Sequence, residues 1–137
     1  MCKVKVGFEN TGDGQSEDHA WHHLVDNRYK KQTGAKAIGL VGDSKRLVKT
    51  AAVCAGTCGR IVNTVIAAGA DLYLTGEMKH HEALAAQEAG LTCLCLSHTV
   101  SERFILKKVA KQLKSRMKQV TIKISKEDAD PFTWKNV

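Results

Sequence analysis

Two short stretches concentrate the residues that could do chemistry. "TGEMKHH", residues 75–81, places Glu77 three and four residues before His80 and His81. "SHTVSERF", residues 97–104, places His98 and Glu102 four apart. An imidazole nitrogen and a carboxylate one helical turn apart can reach a single cation. The same pair also reads as a histidine near a helix start with an acid in the first turn, where the dipole favours it. Glu77 with His80 or His81 could ligate a metal, move a proton or bind an anion, or simply open an amphipathic helix. A third stretch, "AGTCGR" at residues 55–60, sets Gly56 and Gly59 ahead of a helix. Backbone amides there can approach an anion. The stretch lacks both the G-x-G-x-x-G fingerprint and the P-loop's Lys–Ser/Thr pair, so a glycine turn required for close packing is the simpler reading. "HAWHH", residues 19–23, is equally rich in histidine. It falls mid-helix with Asp26, four after His22, as the acid on its face, and reads as surface.

The elements that must position these residues follow from periodicity. "CKVKVGFE" alternates apolar and charged residues and predicts a half-buried strand. "NTGDGQ" is a turn, and Ser16 can cap a following helix that carries Glu17 and Asp18 in its first turn and closes at Gly34. "AKAIGLV" and "KTAAVCAG" read as strands separated by a "GDSK" turn. From there the pattern becomes regular. "RIVNTVIAAG" is a short apolar helix, "DLYLTG" a strand buried on both faces, "EMKHHEALAAQEAG" a helix, and "LTCLCLS" a strand. One long helix follows from Thr99 to Met117, then a last strand, "QVTIKIS". This β-α alternation over about residues 50–125 predicts an α/β fold, a largely parallel sheet with helices packed on it. The whole chain, 1–137, reads as one domain. In open α/β sheets, ligands sit beyond the carboxyl ends of the strands. Parallel pairing would therefore bring Gly56, Gly59, Thr75, Glu77, His80, His81, His98 and Glu102 to one edge.

Composition narrows the function classes. Of the 137 residues, 43% are hydrophobic and 26% charged, an ordinary globular balance. No apolar run reaches the roughly 18 residues of a membrane helix, and the N-terminus lacks a signal peptide's apolar block. The expectation is a soluble, cytoplasmic protein with no membrane role. Five cysteines, an odd number without C-x-x-C spacing, read as buried free thiols. The net charge of +7 permits an anionic partner without naming one. Much of it sits in "RFILKKVAKQLKSRMK", where Ile105, Val109, Leu113 and Met117 form one stripe and the lysines fall mainly off it. That pattern describes a core-facing helix with a solvated basic back. Aromatic residues make up 5% of the chain, which weighs against base stacking and hence against nucleic acid.

Three motifs in order, "CAGTCG", "ADLYLTGEMKHH" and "SHTVSERF", closely resemble the C-terminal half of the Nif-three-like family. These are dinuclear-metal proteins often labelled GTP cyclohydrolase I type 2. The resemblance covers about residues 48–124, extends toward "DADPF", and is nearest to eukaryotic members. It implies one half of the Nif-three-like α/β fold, a ring-shaped homo-oligomer and, from eukaryotic relatives, a protein partner. It implies a divalent metal ion, whether zinc, iron, manganese or magnesium. His98 and Glu102 map to metal ligands. Glu77, His80 and His81 line the same cleft, behind the ligands or on the substrate side. Glu77 or His81 is the catalytic, proton-transfer candidate if the chain is a hydrolase, and Thr75, Gly56 and Gly59 group with His80 as residues that face the substrate or support the ligands.

The chain departs from that family in one respect. Full-length members are about twice as long and supply an adjacent His-His pair, in an HHP context, and an Asp from elsewhere. Neither is present here, since "WHHLV" lies in the wrong place and has no proline. The expectation is therefore a fragment, a half-length relative or one piece of a split protein. Two ligands alone would leave a cation mostly hydrated and weakly held. The half-length chain is expected to keep a partial metal site and a binding or assembly role. A hydrolase acting on a nucleotide or phosphate ester is the alternative, with another chain completing the site.

Overall fold

The computed structural model describes residues 2–5, 30–127 and 129–133. Among the described residues five strands form one sheet: β1 (Cys2–Lys5), β2 (Gly39–Val41), β3 (Thr50–Cys54), β4 (Leu72–Thr75) and β5 (Thr92–Cys95), in the order β1-β3-β4-β5-β2. The central three are parallel, with Ala51 opposite Leu72 and Leu72 opposite Thr92. Both edges are antiparallel, β1 against β3 and β2 against β5. Parallel pairing thus holds for the strands that carry the motifs. The edge strands arrive through other connections and run the opposite way.

The sequence of β4 explains its central place. All four residues of Leu-Tyr-Leu-Thr are buried, as a strand covered on both faces requires. Successive side chains alternate faces. Leu72 and Leu74 join Ala51, Val48, Leu94 and Leu96 on one side, with Val100 packed against them. Tyr73 joins Ala52, Val62, Val65, Ala86 and Cys93 on the other. The second layer is built by a 3₁₀ turn (Gly59–Ile61), α2 (Val62–Ala67) and α3 (His80–Glu88). The first receives α4 (His98–Arg103) and the short α1 (Lys30–Thr33) beside it. Cys54, Cys58, Cys93 and Cys95 are free thiols, and burial pushes Cys93 up to about 12.

At the amino ends of the parallel strands, Asp71 ties three of them together. Its Oδ2 accepts from the amides of Lys49 and Thr50 at 3.0 and 2.9 Å. Its own amide donates to Thr50 O at 2.9 Å, and its carbonyl accepts from Thr92 N at 3.2 Å. Arg46 Nη2 lies 3.6 Å from Oδ1. Burial alone would raise the Asp71 pKa, but these amides and Arg46 overcome it and hold the carboxyl below its ordinary value.

Three expectations need correction. The long helix from Thr99 to Met117 is two helices, α4 and α5 (Ile105–Arg116), parted at Phe104. "QVTIKIS" forms no strand. Its alternating residues pair with none of the described strands, and Val120 and Ile124 stay exposed. Period-2 patterning signals a strand only where a sheet edge receives it. The stripe on α5 is not a core face, since Ile105, Val109, Leu113 and Met117 are each 40% exposed or more. The "HAWHH" stretch and most of the helix expected over residues 16–34 lie outside the described residues. Among the described residues, no helix is long and apolar enough to cross a membrane.

Candidate metal centre

The loops leaving β3, β4 and β5 meet at the carboxyl end of the sheet, and Gly56 is their junction. Its carbonyl accepts from Cys58 N at 3.0 Å and from Gly76 N and Glu77 N at 3.1 Å each. The Thr75 hydroxyl donates to the same oxygen at 3.4 Å. Its amide donates to Ser101 Oγ at 3.0 Å, and that hydroxyl donates to His98 O at 2.8 Å. Gly56 has φ +73°, and a Cβ there would run into Glu102 Oε1. The position therefore needs glycine both for its backbone and for its space.

This junction brings four side chains together. His98 Nδ1 lies 3.1 Å from Glu77 Oε2, and His98 Nε2 lies 3.3 Å from Glu102 Oε2. Thr57 Oγ1 donates to Glu77 Oε2 at 2.8 Å and lies 3.0 Å from His98 Nδ1. Each ring nitrogen of His98 thus faces a carboxylate. The residue before it, Ser97, has φ +71° and is the only described non-glycine residue with positive φ. Backbone strain of that kind collects at sites where position matters. The hydrogen bond from Thr57 and then the His98 ring hold the Glu77 carboxyl below its ordinary value. The Glu77 hydrogen bond and then the Glu102 charge raise His98. The corner is open to solvent, with His98 and Glu102 side chains 47% and 52% exposed.

The expected site residues divide into four groups. Gly56, Glu77, His98 and Glu102 converge. Thr75 is buried beneath the junction, with its hydroxyl spent on Gly56 O. Gly59 lies where the 3₁₀ turn meets α3, and a Cβ there would sit 2.6 Å from Met78 Cβ. His80 and His81 are the first residues of α3 and are exposed. Helical spacing does not join them to Glu77. Helix α3 starts at His80 behind an extended Lys79, whose amide donates to Glu82 Oε2 at 2.6 Å, so Glu77 precedes the helix. Its partner is His98, twenty-one residues on. Thr57 and Ser101 were not singled out from the sequence. Their one signal is position, since each lies within a motif that was.

Among the described residues, no group of three His, Cys, Asp or Glu side chains is arranged to hold a metal ion. Two of the donors nevertheless fit one cation. Bonds of about 2.1 Å from one ion to two adjacent ligands separate the donor atoms by roughly 3.0–3.4 Å. The 3.3 Å between His98 Nε2 and Glu102 Oε2 matches that separation.

Residues 7–131 match the family model described as Duf34/NIF3, NGG1p interacting factor 3. The chain belongs to the DUF34/NIF3 family. It is 35% identical over 97 residues to mouse NIF3-like protein 1, covering 70% of this chain and 25% of that protein. It is 32% identical over 105 residues to the GTP cyclohydrolase 1 type 2 homolog of Campylobacter jejuni, covering 77% of this chain and 41% of that one. The Bacillus cereus protein related to NIF3 shares the fold at a TM-score of 0.61 and 28% identity, over 77% of this chain and 30% of that structure. The chain therefore spans a quarter to two-fifths of the length of these relatives. The NIF3 resemblance carried by the three motifs is confirmed, and so is the α/β fold that it implies.

Proposed function

We propose that this chain carries one side of the divalent-metal site of a NIF3-family protein. His98 Nε2 and the Glu102 carboxylate would be its ligands, and Glu77 a positioning residue acting through Nδ1. The observation that carries the reading is the placement of His98 between two carboxylates at 3.1 and 3.3 Å. A histidine that ligates metal through one nitrogen commonly donates its other N–H to a carboxylate, which fixes the tautomer and the ring plane. Glu77 stands in that relation to Nδ1, and the Thr57 hydroxyl holds Glu77 in place. One nitrogen and one oxygen donor suit zinc, iron or manganese better than magnesium.

Two ligands do not complete a hydrolytic site. The remaining donors would come from outside the described residues, either from the rest of a longer chain or from a neighbouring copy in a homo-oligomer. On its own the chain would then serve in binding or assembly, with a protein partner. When bound, a divalent ion lowers the pKa of a coordinated water and polarises a phosphoryl or carbonyl oxygen. A second reading is a hydrolase acting on a nucleotide or phosphate ester once the site is complete, and the name of the Campylobacter relative, a GTP cyclohydrolase 1 type 2 homolog, favours the nucleotide. In that case Glu77 would orient His98 rather than move a proton, and the exposed His81 would be left as the proton-transfer candidate.

Elemental analysis after purification without chelator tests the metal reading. Metal in the wild-type chain that disappears in His98→Ala Glu102→Ala is the expected result. Equal metal in both proteins would overturn the assignment.

A further inference from the structure

Two free thiols flank the turn that builds the metal corner. Cys54 ends β3 and Cys58 precedes the 3₁₀ turn, with Ala55, Gly56 and Thr57 between them. Gly56, at φ +73°, turns the chain back, and Cys58 N donates to its carbonyl at 3.0 Å. That reversal returns Cys58 to the layer around Tyr73, where both cysteines pack and their thiols share a hydrogen bond. Both are half-buried, whereas Cys93 is fully buried. Cys93 and Cys95 lie on β5, two strands from Cys54. At strand spacings of about 4.8 Å, that separation exceeds the roughly 4.4–6.8 Å between the Cα atoms of a disulfide. Both ends of the Cys54–Cys58 segment are anchored. Cys54 pairs with Thr75 in the sheet, and the Cys58 carbonyl accepts from Tyr73 Oη at 2.9 Å. The Cys58 thiol donates to Ala55 O at 3.1 Å, a bond that only the reduced form can make. Closing the two sulfurs from hydrogen-bond contact to covalent distance must therefore move the residues between them. Those residues hold the corner, since Gly56 O accepts from the Gly76 and Glu77 amides and Thr57 Oγ1 donates to Glu77 Oε2.

We infer that Cys54 and Cys58 are a thiol-modification site, closing to a reversible disulfide that displaces Thr57 and loosens the metal corner. The chemistry is exchange with a small-molecule disulfide. One cysteine thiolate attacks it and expels one thiol, and the other then attacks the mixed disulfide and expels the second. Cys54 and Cys58 give up two protons and two electrons to form one sulfur–sulfur bond, and the small disulfide is reduced to two thiols. The effect on metal rests on the proposed metal site, whereas the bond itself does not. The test treats the metal-free chain with oxidised glutathione at mildly alkaline pH, then with dithiothreitol. Peptide mapping by mass spectrometry should find a Cys54–Cys58 bond that dithiothreitol reverses. The amide resonances of Thr57 and Glu77 should shift with the bond, and zinc affinity should fall at least threefold. Cys54→Ser Cys58→Ser should show neither change under the same treatment. A lasting glutathione adduct without an internal bond, or a bond to another cysteine, overturns the inference. So does a Cys54–Cys58 bond that leaves either the two amides or the zinc affinity of a zinc-binding chain unchanged. A reduced chain that takes up no zinc, but whose Thr57 and Glu77 amides still shift with the bond, removes the metal reading and leaves the modification site standing.

Discussion

Asp71 and Glu77 sit at opposite ends of β4 and use the same chemistry for different ends. Asp71 lies below the amino ends of the parallel strands, and its oxygens are taken by two backbone amides and an arginine. Glu77 lies beyond the carboxyl ends and is held chiefly by side chains, Thr57 and His98. The first carboxylate ties strands whose backbone groups would otherwise lack partners. The second holds an exposed imidazole beside a strained Ser97 and a second carboxylate, Glu102. Exposed ion pairs contribute little to stability. The two corners should therefore respond oppositely to mutation, one in folding and the other in ligand binding.

The largest stability loss is expected at Asp71. Asp71→Ala leaves the Lys49 and Thr50 amides without their acceptor, which should cost about 2–3 kcal/mol in urea unfolding. Zinc uptake should be unchanged. Gly56→Ala should come next, at about 1–2 kcal/mol, because it forces alanine into positive φ. It should also reduce zinc uptake, since its Cβ runs into Glu102, and this variant alone should damage both properties.

A smaller effect is the acid limb of stability. The Asp71 carboxyl is held below its ordinary value, so its contribution is complete above the unfolded-state pKa near 3.9 and fades as pH falls through the lower folded value. Asp71→Asn should flatten that part of the pH dependence of stability between pH 5 and pH 2. An unchanged acid limb would show that Asp71 does not stabilise the fold in this way. The smallest stability effect is expected for His98→Ala, whose unfolding midpoint should match the wild type while zinc uptake is lost. A large drop in the midpoint would make the His98 corner structural, like that of Asp71.

These corners were not equally legible in the sequence. The apolar runs of β3, β4 and β5 identified the central strands, because burial on both faces leaves a signal in each residue. The glycine of "CAGTCG" and the His-Glu spacing of "SHTVSERF" pointed to a loop and a helix start that lie side by side in the structure. The pairing of Glu77 with His98 was hidden, because local spacing favoured His80 and His81, and only the parallel register brings the β4 and β5 loops together. Thr57 was hidden for the same reason. Its role depends on where Gly56 turns the chain. The break at Phe104 and the unpaired "QVTIKIS" segment depend on what lies beside them, which periodicity does not encode.

The central claim is that His98 offers Nε2 to a cation while Glu77 holds the proton on Nδ1. Nitrogen-15 NMR of the imidazole during zinc titration reads both atoms at once. The account predicts that the Nε2 resonance moves to a metal-bound position while Nδ1 stays protonated, and that Glu77→Gln weakens the zinc affinity. An imidazole spectrum that zinc leaves unchanged would contradict it and reduce the corner to an exposed ion pair.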